Sequence, residues 1–441
     1  MKSTPHGGIS NTITKLVLAK LFRDPWLLLA YMAFFGVMLG FLCRPDVADS
    51  YYVRYITGPV AILLYNSNYL VFFSVLLMGG GILIIKLKTQ PFDFPNLASI
   101  LFLGFRCMLA LRRVAVGFPP VTELVTFTLI TMLILIFSQK IKSLDESKAG
   151  MIWISFFIVL EVFIYSILNG YQLIVQPESV ENVGRLHGLN SHSNEFSMSL
   201  GLLSVWLYVA IFSGRAWLKL LASVTLLASA YFVFRSGSRS GALTFFVAGL
   251  PFVYWLLRRK PTWVIMAGVG GIMLLPFIWY YVETGTRELV ESRLTSTQNT
   301  RAEVFRMMLD NFLANPLFGN PLTAGGTSNS YLYAASSTGI IGIVLMMGAL
   351  WLLFRHTLRI HKLVTLSIPD DDLTLFSPLI WSAFLSIIAS SAFSGYFVET
   401  MQFPLLFTLF HMAFVDKTKN SLERQRASWG KIVIGGKRKP I

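Results

Sequence analysis

Three short polar stretches hold the side chains through which this sequence could do chemistry. Arg185-Leu186-His187-Gly188-Leu189-Asn190-Ser191-His192-Ser193-Asn194 reads as a polar turn, and Arg235-Ser236-Gly237-Ser238-Arg239-Ser240-Gly241 as a tighter one. Arg301 opens the third, with Arg306 shortly after, then Asn315-Pro316-Leu317-Phe318-Gly319 and Ser328-Asn329-Ser330-Tyr331-Leu332. Every cation in these stretches is an arginine. A guanidinium fork grips phosphate oxygens bidentately and stays charged in a partly apolar site, where lysine supplies charge without that geometry. Arg185, Arg239 and Arg301 are therefore candidates to hold a phosphate-bearing anion, with Arg235 and Arg306 as further contacts. His192 is the nearby group that titrates close to neutrality, and the Asn194 amide could orient a hydroxyl. Plainer roles compete at each position: Arg235 could snorkel from a helix end, Arg306 could decorate a solvated helix face, and His192 could cap a loop or bond a backbone carbonyl. Cys43 and Cys107 give neither a disulfide framework nor a metal-ligand spacing.

The elements that carry these stretches are membrane helices. With 54% hydrophobic and 13% charged residues and a mean hydropathy of +0.63, the 441-residue chain has too little polar surface to coat a soluble globule. Apolar runs long enough to cross a bilayer occur at Trp26 to Leu42, Ser67 to Ile85, Phe94 to Leu111, Gly117 to Ser138, Gly150 to Leu168 and Phe196 to Phe212. Six more follow at Trp217 to Phe234, Ser240 to Leu257, Trp263 to Tyr281, Tyr331 to Phe354, Leu375 to Phe393 and Glu399 to Val415. The expectation is an all-α polytopic transmembrane bundle of about twelve spans. With the N-terminus inside, every lysine and 25 of the 37 basic residues fall on the cytoplasmic side, which predicts that both termini are cytoplasmic. The formal net charge of +15 then reports topology and attraction to anionic lipid, and no nucleic-acid partner is implied. Arg106 and Glu161, both inside spans, each require an internal partner, and pairing with one another is one way to meet that need.

Residues 1–415 read as a single transmembrane domain and 416–441 as a basic cytoplasmic tail. Two outer connections are long, 169–195 and 282–330, and long loops in a tight bundle tend to carry function. Within the second, Thr300-Arg301-Ala302-Glu303 is a capping box, and Val304, Met308 and Phe312 recur at helical spacing. That pattern predicts an amphipathic helix ending at Pro316 or Gly319, lying on the membrane with Arg301 at its electropositive start.

At these residues the chain resembles the O-antigen ligase and O-antigen polymerase superfamily of bacterial membrane glycosyltransferases. The resemblance rests on the Arg185…His192-Ser193-Asn194 turn, the Ser236–Gly241 turn, the Arg301…Val304-Phe305 helix, Pro316-Leu317-Phe318-Gly319 and Ser328-Asn329-Ser330-Tyr331-Leu332 opening the tenth span. It implies transfer of a glycan from a polyprenyl-diphosphate carrier to a sugar hydroxyl at the periplasmic face of the inner membrane, with no cofactor, metal or nucleotide-sugar donor. The implied partners are the lipid-linked glycan donor, a glycan acceptor and membrane lipid. Ligases of the family usually carry a histidine where this chain has Ser328, and a serine cannot act as a base near neutral pH. That departure favours a polymerase of lipid-linked repeat units; a ligase joining polymer to a lipid-anchored core sugar and a transporter of glycan or solute are the alternatives. In either reaction Ser328, Asn329 and Tyr331 are candidate substrate contacts.

Overall fold

The computed structural model describes residues 25–42, 66–89, 92–139, 147–177, 181–182, 185–190, 192–259, 261–262, 302–321, 329–366, 373–397 and 402–435. In chain order the helices are α1 (Pro25–Leu42), α2 (Ser67–Thr89), α3 (Leu97–Ala115), α4 (Pro120–Ser138), α5 (Ser147–Val175), α6 (Ser193–Ser213), α7 (Ala216–Arg235), α8 (Arg239–Arg259), α9 (Ala302–Ala314), α10 (Ser330–Leu366), α11 (Phe376–Ala392) and α12 (Phe403–Gly435). A two-residue pair, β1 (Glu181–Asn182) and β2 (Arg185–Leu186), precedes α6. Apart from that pair the regular structure among the described residues is helical. Seven of the helices are long and apolar enough to cross a membrane. The chain is a polytopic all-α membrane protein.

Eleven of the twelve expected spans fall on helices, and the run Trp263 to Tyr281 lies outside the described residues, as do Arg301 and Ser328. The helices outrun the apolar stretches. α5 continues through Asn169 to Val175, shortening the first long loop, and α12 continues past Val415 into the basic tail. Hydropathy marks the hydrocarbon, whereas a helix ends only where its backbone bonds find a cap.

α6 is the central helix. Nearly every residue from Ser193 to Ala210 is buried, against α5, α7, α8, α11 and α12. Small residues permit that density. A Cβ on Gly241 of α8 would lie 2.2 Å from the Ser197 Cβ of α6, so α8 is pressed against α6 at its first turn. Serine and threonine hydroxyls facing the interior bond their own helix, as Ser197 does to the Ser193 carbonyl and Thr244 to that of Ser240. An aromatic cluster of Phe34, Phe137, Trp206, Phe410 and Phe414 joins α1, α4, α6 and α12, tying the two ends of the chain together. Exposed Phe72, Phe73, Leu76, Leu124 and Leu227 on α2, α4 and α7 cover the outside, the arrangement lipid requires.

Arg106, fully buried in α3, donates to the Phe397 carbonyl at 2.7 Å, and its charged neighbours are Arg113 and Glu123. Among the described residues Glu161 enters no ion pair, so the two intramembrane charges do not answer each other.

α10 is broken. Gly339 has φ 63° and ψ −161°, outside any helix, and the amide of Ile340 donates instead to the Pro316 carbonyl at 2.8 Å. A Cβ on Gly342 would stand 2.3 Å from that of Thr338, whereas Cβ atoms four apart in a continuous helix are about 5–6 Å apart. The chain therefore reverses sharply between 338 and 342. Gly319, also at positive φ (66°), enters the break: a Cβ there would lie 2.5 Å from the Ser336 carbonyl oxygen and 2.6 Å from the Gly339 nitrogen. Asn320 N–H bonds the Ser336 carbonyl, so the loop satisfies the backbone groups the break releases.

Candidate functional site

The expected amphipathic helix is α9, starting one residue after Arg301, with Met308 buried against α10 and Arg306 exposed. The turn after α7 is Ser236-Gly237-Ser238. Ser236 Oγ donates to the Val233 carbonyl and accepts from Ser238 N–H, while Ser238 Oγ accepts from Gly241 N–H at 3.1 Å and caps α8. Arg239 is thus the first residue of α8, exposed, and Arg235 the half-buried last residue of α7. β2, which bears Arg185, packs against α7. Arg185, Arg235 and Arg239 are accordingly drawn to one end of the bundle.

His192 is the N-cap of α6. Its Nδ1 accepts the Asn194 N–H at 3.1 Å, which leaves the proton of the neutral ring on Nε2. In that tautomer the imidazole is a donor, and it becomes a base only by giving up the cap. The same turn is carried by a residue the sequence did not single out. Asn169, buried in α5, donates to the Tyr165 carbonyl and accepts Leu189 N–H at 2.9 Å, while His187 Nδ1 contacts the Asn190 carbonyl oxygen. Glu195, in the first turn of α6, accepts from Gln402 ahead of α12. Because α6 and α8 run in parallel and touch at Ser197 and Gly241, their electropositive N-termini lie side by side at the end that carries the arginines.

Asn329 and Tyr331 are held by the protein itself. Asn329 Oδ1 accepts from Tyr331 N–H and Leu332 N–H at 2.9 Å each and its amide donates to the Ala392 carbonyl. Tyr331 Oη bonds Ser391 Oγ at 2.6 Å, and Ser330 Oγ donates to the Ser394 carbonyl and accepts Phe397 N–H. Asn329, Ser330 and Tyr331 together staple α10 to the end of α11.

Helix registers give these groups a depth. Leu101 meets Gly348 and Gly104 meets Leu345, which puts Arg106 of α3 opposite Ile343 and Arg112 near the level of Gly339. Phe354 packs on Trp381 and Phe384, so Ser391, seven to ten residues further along α11, is level with the Val344 to Met347 turn. Yet Ser391 bonds Tyr331, thirteen or more residues earlier, a distance of about 20 Å in a continuous helix. Residues 330–338 therefore run back beside the rest of α10 as a re-entrant half-helix. The motif therefore does not open one continuous tenth span: it begins level with the middle of the long helix, and Gly339 is the turn between the two. Ser382 Oγ donates to the Ala248 carbonyl, and nine residues outward along these antiparallel helices Ser391 comes level with Arg239. The start of the half-helix and the N-terminus of α8 thus share one depth.

These features define a multi-pass helical membrane protein with an arginine-bearing end built from helix N-termini and backbone-locked turns. Residues 224–347 match the family model described as O-antigen ligase, and the resemblance carried by the motifs is shown over that stretch, which runs from within α7 to the middle of α10. No curated protein matches the chain.

Proposed function

We propose that this chain transfers a glycan from a polyprenyl-diphosphate carrier to a sugar hydroxyl at the periplasmic face, as a polymerase of lipid-linked repeat units. The observation that carries the reading is the pairing of the α6 and α8 N-termini beside Arg235, Arg239 and the strand of Arg185. Two helix dipoles and guanidinium forks on one end suit an anion held while its bridging oxygen gains charge. Arg301, one residue ahead of α9, is assigned to the same task, with Arg306, Asn194 and Ser328 serving substrate. Asn329 and Tyr331 act through backbone placement, because their polar atoms are already bonded. Ser328 in place of a histidine favours polymerase over ligase.

A transporter would use a broken helix to expose backbone groups to substrate. Here the groups freed at Gly339 bond the 316–320 loop, which argues for the transferase. Gene deletion tests the reading. Loss of long chains, with single repeat units still reaching the final acceptor, is the expected outcome. Full-length polymer accumulating on the carrier would instead make the chain a ligase, and unchanged glycan would end both readings.

A further inference from the structure

We propose that Arg106 and Arg112 of α3, outside the family-matched stretch, are positioning residues that hold the two ends of the re-entrant half-helix and thereby set the depth of Asn329–Tyr331. The inference rests on the transferase reading for its consequence and on contacts for its geometry.

The contacts form two short chains. At the deep end, the Arg106 guanidinium donates to the Phe397 carbonyl, Phe397 N–H donates to Ser330 Oγ, and Ser330 Oγ donates to the Ser394 carbonyl. At the outer end, Arg112 donates to the Gly319 carbonyl, and Gly319 lies in the Gly339 break with its neighbour Asn320 bonded to Ser336. Arg106 and Arg112 are six residues apart on one helix, a rise of about 9 Å, and the half-helix between the points they hold spans roughly 12 Å. One rigid element therefore grips both ends of a tilted one.

Both acceptors are backbone carbonyls in loops, the 393–397 turn and the 315–320 turn, which lack ladder bonds of their own. A charged donor to a buried carbonyl is stronger than a neutral one, and losing it orphans the acceptor. Arg113 differs from this pair. It is spent on Glu123 at 3.3 Å and on the face of Phe118, so it locks α3 to α4 without touching the half-helix.

The test uses the full-length chain with Cys43 and Cys107 replaced by Ser and spin labels at Phe318→Cys and Phe393→Cys, both exposed positions. A single narrow distance distribution is expected for the parent. Arg112→Gln and Arg106→Gln should broaden or shift it and lower long-chain product at least tenfold at equal membrane level, and the Lys variants should recover part of both. Ser330→Ala, a small change with little folding hazard, should broaden the distribution in the same way. Native distances and native product in Arg112→Gln and Ser330→Ala, with Arg239→Ala inactive, would overturn the positioning role and leave the transferase reading intact. Altered distances with product unchanged in these variants and in Arg239→Ala alike would uphold the positioning and overturn the transferase reading.

Discussion

Replacing Gly339 by alanine strikes the one point where α10, the 315–320 loop and the half-helix meet. At φ 63° and ψ −161° a residue with a Cβ costs about 1–3 kcal/mol in backbone strain. The added Cβ would also stand 2.3 Å from the Leu317 carbonyl oxygen and 2.6 Å from the Phe318 nitrogen, both backbone atoms that cannot rotate away. Relief requires the loop to leave, breaking the Ile340 to Pro316 bond and orphaning its groups for about another 1–3 kcal/mol. That loss is the same in the parent, so only the strain relieved on displacement shifts the balance, and about 1–3 kcal/mol raises the population of the displaced loop roughly 5-fold to 160-fold. The long half of α10 stays packed on α3 and α11, so the variant should reach the membrane. Amide hydrogen exchange reads the effect at Ile340 and Asn320, whose protection should fall by that factor, with glycan transfer falling alongside. Gly170→Ala in α5, where a Cβ meets nothing within 4 Å, is the control and should cost nothing. Native protection of Ile340 in Gly339→Ala would refute the locked break.

Arg239→Lys should impair transfer though charge is kept, because the fork is lost; undiminished product from Arg239→Ala would remove this residue from the site. Gly241→Val should lower the thermal midpoint in detergent, since its side chain meets Ser197 where α6 and α8 touch. His192→Ala should lose an N-cap worth about 0.5–2 kcal/mol, whereas His192→Asn keeps an acceptor for Asn194 N–H and discards the titrating ring. Native pH dependence of transfer in His192→Asn would leave the residue as a cap. An impermeant thiol reagent applied from the periplasmic side should label single cysteines in 178–184 and spare one at Lys362; labelling at Lys362 would invert the topology.

The bundle was legible because hydrocarbon is an unforgiving solvent, and a run such as Pro120–Ser138 has one stable form in it. α9 was legible for a different reason, the coincidence of a capping box with Val304, Met308 and Phe312. The reversal at Gly339 was not. Residues 330–366 are apolar throughout, and glycine is ordinary in membrane helices, so no periodicity distinguishes one long span from a half-helix folded on a full one. The partners of the polar residues were equally hidden. Arg106 advertised a need for an internal acceptor, but its acceptor is the Phe397 carbonyl, a backbone group that every residue carries and no sequence pattern marks. Asn329 and Tyr331 looked like substrate contacts for the converse reason: a motif records that side chains matter, and stapling α10 to α11 is one way of mattering.

On the transferase reading, a shared level is what makes these parts a site. Arg239, the N-terminal turn of α6 with His192 and Glu195, the start of the half-helix and the end of α11 lie at one level, and the turn at Gly339 and Gly319 stands beyond it. A diphosphate on a polyprenyl tail already rests where hydrocarbon meets water, and its own anchor holds it at that depth. On the transferase reading proposed above, Arg239, exposed at that level beside the paired N-termini of α6 and α8, is open to an anion anchored in the bilayer.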